Sequence, residues 1–330
     1  MAVVDTLVPA EEDRPRVIVS RVSAGDRVFR GILTGAGVAV LVITASILVF
    51  LVARSMTAFD AVGFRFFTTS TWYMSSNQFG IAAILPLGVM IAVIALVIAI
   101  PVGVMTALAI SEYAPPRLRR LLISVIDLMA AIPSIVVALF GLYFLEPRIL
   151  GFNSWLSIHL GFIPLFKILL PNFASNYTSS TFIAGVVVSL MVIPIITSLS
   201  RQVFSQTPQG EREAAYALGS TKWGMIRTVV LPFGRAGVIG ASMLGLGRAL
   251  GETIAVSFIL TPIFNLSPHI LQSGGNSPTF MIANLILEAG PTEISALMAA
   301  GMTLFVMTIG VNTIAAIIIS RSRSGAMTAD

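Results

Sequence analysis

TPQGEREAAYALGSTKWGMIRTVVLP, residues 207–232, is a polar, loop-like stretch between two long apolar runs. Thr207 and Pro208 read as a cap and a first-turn proline, with Glu211 as an acidic residue in the first turn. A short helix then runs to about Leu218, and Gly219 is its natural C-terminal stop. Pro232 follows at the entrance to the next apolar run, where it can set the angle of entry. On pattern alone this is an exposed helix in a loop, and an amphipathic connector would satisfy it.

The rest of the chain says what the loop connects. Of 330 residues, 56% are hydrophobic and 11% charged, far from the balance of a soluble domain. The expected class is all-α: a polytopic membrane protein with six transmembrane helices. Six apolar runs pass the length test for a spanning helix, at about 31–53, 84–110, 121–145, 181–200, 236–260 and 295–319. No short apolar core with a cleavage site precedes the first, so no removable signal peptide is expected. Residues 1–30 read as a cytoplasmic arm, 31–320 as the transmembrane domain and 321–330 as a cytoplasmic tail.

Cysteine is absent, which excludes disulfides, thiolate metal sites and cysteine nucleophiles. His159 and His269 are the only histidines and no HExxH occurs, so no metal site is expected. The net charge of +5 is scattered between apolar runs rather than gathered on a patch, which speaks for membrane-flanking loops in lipid and against nucleic acid. Sorting the 20 lysines and arginines by loop leaves only Arg54, Arg65, Arg148 and Lys167 on one side and Arg248 within the membrane. By the positive-inside rule the other side is cytoplasmic and holds both termini. Trp72 and Tyr73, on the outer side, suit an aromatic interfacial belt. The outer segment between the third and fourth runs contains an apolar piece too short to span, expected as an interfacial or re-entrant helix.

The fifth run contains GLGRALGETIAV, residues 245–256, with Arg248 and Glu252 four positions apart. From Arg235 at the cytoplasmic edge, 13 residues at about 1.5 Å each place Arg248 beyond the middle of a hydrocarbon core about 30 Å thick. Each such charge costs roughly 3 kcal/mol on insertion scales. The i, i+4 spacing puts the two on one helix face, but a pair in this order returns only about 0.3 to 0.5 kcal/mol. Structural pinning is one reading; the other is that Arg248 lines a water-accessible path and meets an anion, which its planar fork suits. Gly247 and Gly251 read as points of close helix approach, with close approach to a permeating ion as the alternative. In the third run, Pro133 of AAIPSIV can kink the helix, leaving Ser134 to satisfy backbone groups or face a pore. Asp127 reads as a cap on a neighbouring arginine, and Pro101 and Pro194 as helix bends.

Glu213-Ala214-Ala215, three residues, Gly219, nine residues, Val229, one residue and Leu231-Pro232 reproduce the EAA motif of bacterial ABC importer permeases. LGLGRALGETIAV (244–256), DLMAAIPSIVVALFGL (127–142) and SEYAP (111–115) narrow the resemblance to the PstC-type permeases of phosphate importers. PstA-type sisters usually continue their Arg-Ala-x-Gly-Glu-Thr run with Ala-Pro, whereas Ile254-Ala255-Val256 follow here. The resemblance covers about residues 70–320; Met74 stands where the family tends to have proline.

The resemblance implies the type I ABC importer permease fold. It implies a coupling helix in which Glu213, Ala214, Ala215 and Gly219 dock on an ATPase, and an anion pathway containing Arg248, Glu252, Thr253 and Ser134. The implied partners are a PstA-type second permease, a PstB-type ATPase dimer and a PstS-type extracellular phosphate-binding protein. Lys167 and Lys222 are the only lysines and neither lies in a GxxxxGK[ST] motif, so no P-loop is present. This chain would therefore be no enzyme and carry no cofactor, ATP and Mg²⁺ belonging to the partner ATPase. A permease for sulfate or molybdate, or an ATP-independent anion channel or secondary transporter, would use the same membrane charges.

Overall fold

The computed structural model describes residues 23–73, 78–168 and 174–322, in two compact units, residues 1–49 and 50–330. Most of the expected arm, Met74 and the end of the expected tail lie outside the described residues. The first helix, α1 (Ala24–Val62), begins where Ser23 and Asp26 cap each other. The Ser23 hydroxyl accepts from the Asp26 amide at 3.1 Å, and the Asp26 carboxylate accepts from the Ser23 amide at 3.2 Å. Residues 24–30 are thus helical. In the first unit, Val28, Phe29, Ile32, Leu33 and Leu41 are exposed along this helix, a surface suited to lipid.

In the second unit, α1 ends in a 3₁₀ turn, and β1 (Trp72–Tyr73) pairs antiparallel with β2 (Gln78–Phe79). Tyr73 is exposed, but Trp72 is buried, and its indole N–H donates to the buried Glu293 carboxylate at 3.0 Å. The interfacial belt expected of Trp72 is therefore corrected: a buried indole needs an acceptor, and Glu293 supplies it from 221 residues away.

α2 (Ile84–Leu108) continues through a π-helical turn, Ala109–Tyr113. After it come α3 (Pro116–Ala130), α4 (Ser134–Phe140), a second π-turn (Gly141–Leu145) and α5 (Glu146–Leu160). The run expected to cross at 121–145 is not one helix. Proline disfavours helical backbone at Ile132 and offers no N–H of its own. α3 closes with amides of Ala131 and Ile132 bonded to the carbonyls of Leu128 and Met129, and a new helix starts at Ser134. The third spanning segment is Ser134–Leu160. The expected interfacial piece becomes α5, the second half of that segment, where buried Glu146 accepts from the Ser179 amide at 2.8 Å.

α6 (Thr181–Ser205) is followed by α7 (Gln209–Ala217), α8 (Lys222–Met225), a third π-turn (Ile226–Val230) and α9 (Leu231–Gly251). α10 (Ile254–Ile259), α11 (Pro278–Leu285) and α12 (Pro291–Ser322) complete the order. Among the described residues, six helices are long and apolar enough to cross a membrane: Ala24–Phe67, Ile84–Tyr113, Ser134–Leu160, Thr181–Ser205, Lys222–Gly251 and Pro291–Ile319. The main core lies between α2 and α6, where Ile91, Ala95 and Ala99 meet Ala184, Val188 and Ile196, with α9 packed on α6. Pro101 and Pro194 lie inside unbroken helices.

Replacing Trp72 by Phe keeps an aromatic ring and removes the only donor to Glu293 Oε1 among the described residues. A cost of about 1 to 3 kcal/mol follows, and thermal unfolding of the purified protein in detergent measures it.

Candidate functional site

The helix carrying Arg248 stops at Gly251. Glu252 adopts an extended conformation (φ −71°, ψ 120°), and α10 begins two residues later. The expectation of a one-face Arg248–Glu252 pair on a continuous helix is thereby corrected: no ion pair joins them among the described residues. Glu252 is buried and is used by the backbone instead. Its carboxylate accepts from the Ala255 amide at 3.2 Å, capping α10, and its carbonyl accepts from the Thr279 hydroxyl at 3.1 Å. Thr253 turns back on the break, its hydroxyl donating to the Gly251 carbonyl at 3.3 Å. Arg248 is exposed and makes neither a hydrogen bond nor an ion pair among the described residues.

Arg248 and Glu252 line one cleft of about 790 Å³, between α9 and α12. Gly240, Gly247 and Gly251 line it from α9, Asn312, Ala315 and Ala316 from α12. Asn312 escapes the sequence reading, although a lone amide within an apolar run signals it. It is exposed and makes no hydrogen bond among the described residues, whereas neighbouring Thr308 and Thr313 satisfy themselves on carbonyls four residues back. The close-approach role expected of Gly247 and Gly251 is also corrected. A Cβ at either meets nothing within 4 Å, while one at Gly245 would lie 2.7 Å from a Val192 methyl of α6. Gly245 makes the tight helix contact; the other two leave the cleft open.

Ser134 sits at the second helix break, after Pro133, and is half-buried. α4 packs against α10, so the two breaks lie on neighbouring elements, but Ser134 does not line the cleft. Asp127 pairs with no arginine among the described residues; it accepts from the Ser198 hydroxyl at 3.3 Å.

At the other end of α9, α7 occupies the expected loop. Thr207 is buried, its hydroxyl has no partner among the described residues, and it does not cap α7; Pro208 rather than Thr207 holds the cap position. Gly219 ends the helix at φ +82°, with the Gly219 and Ser220 amides bonded to the carbonyls of Tyr216 and Ala215 at 2.9 and 3.1 Å. This paired closure requires the left-handed conformation that glycine adopts without strain. Glu213 and Ala214 face outward, Glu213 accepting from the Gln209 amide at 3.0 Å; Ala215 is buried beside Phe204, Met225 and Ile226. Tyr216 and Leu218 are exposed. Arg212, behind the outward face, pairs with Glu112 at 2.9 Å.

Broken helices at membrane depth, a charged cleft and an exposed loop helix define a membrane transport component. A family model for the binding-protein-dependent transport system inner membrane component matches residues 99–324, and the chain belongs to that family. It is a multi-pass inner-membrane transport subunit, not an enzyme. Its relatives include the phosphate transport system permease protein PstC 2 of Mycobacterium tuberculosis, 39% identical over 295 residues, 88% of this chain and 90% of that protein. The PstC of Xylella fastidiosa is 37% identical over 317 residues, covering 96% and 97%. The PstC-type resemblance read from the motifs is thus borne out. The fold is that of a chain in a bacterial ABC transporter involved in the import of the acidic polysaccharide alginate (TM-score 0.61, 16% identity, 90% of this chain and 96% of that one). It also matches an alginate transporter solved in complex with alginate pentasaccharide-bound periplasmic protein (TM-score 0.58, 15% identity, 88% and 93%).

Gly245→Ala should destabilise the chain by about 1 to 3 kcal/mol through overpacking against Val192, whereas Gly247→Ala should not. Unfolding midpoints of the two variants in detergent make the comparison.

Proposed function

We propose that the chain is the translocating permease subunit of an ATP-driven importer of inorganic phosphate. The observation that carries this is the unpaired Arg248 in a cleft it shares with buried Glu252 and with Asn312, in a chain whose relatives are PstC permeases. A guanidinium presents parallel N–H donors that match two oxygens of a tetrahedral oxyanion. An amide adds a neutral donor. Release requires that the anion not be held too tightly, and the Glu252 carboxylate, fixed by its cap on α10, supplies opposing charge. The same carboxylate can accept a hydrogen bond from a protonated phosphate oxygen, which sulfate lacks at neutral pH.

The loop helix α7 acts as the coupling helix. Glu213 and Ala214 are directed at an ATPase, Gly219 closes the helix, and Ala215 anchors it to the permease core. A PstA-type permease completes the pathway, a PstB-type ATPase dimer binds ATP and Mg²⁺, and a PstS-type protein delivers phosphate from outside. The basic-residue asymmetry supports cytoplasmic termini and a cytoplasmic α7. ATP-driven closure of the ATPases then moves α7 and switches the access of the spanning helices.

In an assembled complex, Arg248→Ala should lower uptake of labelled phosphate roughly tenfold or more, corresponding to at least about 1.4 kcal/mol; uptake at the unmodified rate would sink the reading. Glu252→Gln retains an oxygen to cap α10, so the fold should persist while sulfate becomes a competitor of phosphate uptake. Continued exclusion of sulfate by that variant would remove the carboxylate's role in selectivity.

A further inference from the structure

α7 is poorly held by its own apolar contacts. It is nine residues long, its N-terminus lacks a side-chain cap, and Ala215 is its only buried residue. Arg212 supplies the missing attachment. One terminal nitrogen donates to Glu112 at 2.9 Å, in the π-turn that ends α2; the other donates to the Phe204 carbonyl at 2.7 Å, in the last turn of α6. The fork thus joins three elements through two directed contacts. The pair is well shielded, with the Glu112 side chain 3% exposed and that of Arg212 17%. Arg119 reinforces the same π-turn by donating to the Ser111 carbonyl.

The pair is not there because it satisfies every polar atom. Glu112 Oε1 and Arg212 Nε are buried without partners among the described residues, so a shielded ion pair of this kind is a costly way to gain stability alone. What it does supply is a directed link between α7 and the α2–α6 pair, the most extensively packed helices among the described residues. Phe204, whose carbonyl receives Arg212, is itself fully buried beside Gly234 of α9. Arg248 lies on that same helix.

We propose that Arg212 and Glu112 are positioning residues that make α7 move as one body with α2 and α6, so that displacement of α7 is delivered to the helix carrying Arg248. This rests on the reading of α7 as the ATPase-docking helix. Neither residue touches the transported ion.

The test is the number of phosphate ions moved per ATP hydrolysed by the complete importer, purified with its native partners and reconstituted in proteoliposomes. Arg212→Ala should retain the ATPase and its hydrolysis but lower that ratio roughly fivefold or more, the scale of a site-to-site coupling energy. Arg212→Lys, which keeps the charge without the fork, should lose less. An unchanged ratio would overturn the proposal, including the case in which uptake and hydrolysis decline in parallel, as a general loss of structure would cause. Should Arg212→Ala fail to assemble, Glu112→Gln is measured in the same way, since it keeps the size and one acceptor; failure of both to assemble would make the pair a folding requirement and overturn the proposal. If the unmodified complex carries no ATPase or moves no phosphate, the proposed function fails instead.

Discussion

Backbone that leaves a helix at membrane depth has no water to turn to, so its freed amides and carbonyls must find protein partners. That constraint organises the centre of this molecule. The chain breaks at residues 131–133 and again at residues 252–253, and α4 and α10, the short helices that resume after each break, pack against each other. The Glu252 carboxylate serves the first turn of α10 and its carbonyl serves Thr279. Held in this way, Glu252 makes no ion pair with Arg248 among the described residues, and both line the cleft.

A second consequence concerns stiffness. The α2–α6 core is dense, whereas the segments on either side of α7 are short turns. Between them the attachments are few and specific: Arg212 on Glu112 and Phe204, Ala215 in its small apolar cluster, and Gly219 closing the helix. On the proposed reading of α7 as the coupling helix, this combination would pass its displacement to the interior. Dense packing alone would leave α7 to slide, and long polar linkers would absorb its motion.

Much of this was legible in the chain. Apolar run length located five of the six spanning segments because the thickness of a bilayer imposes it, but it put the third at 121–145, across the break before Ser134, instead of at Ser134–Leu160. The EAA spacing located α7, and Gly219 its end, because a left-handed closure favours one residue type. What was not legible depends on contacts distant in sequence or on backbone choices that hydropathy does not encode. Trp72 is buried because Glu293 awaits it, and Arg212 is anchored by a residue 100 positions earlier. The run at 236–260 is apolar on both sides of the break at Glu252, so its length concealed the end of the helix, and with it the fate of the i, i+4 pair. Gly245, Gly247 and Gly251 are equivalent as letters; only the neighbouring helix distinguishes the contact from the open face.

The π-turn at Ile226–Val230 interrupts the helix that climbs from the loop to Arg248. Such a turn holds about one residue more than the α-helical turn it replaces, so everything beyond it is rotated by about 100°, one residue's share of a turn. A helical wheel drawn without interruption from Lys222 would therefore point Arg248 away from the side it occupies. The arginine's bearing is set some 20 residues before it, on the order of 30 Å along the axis, and the interval between the loop motif and the charged cleft is a phase as much as a length.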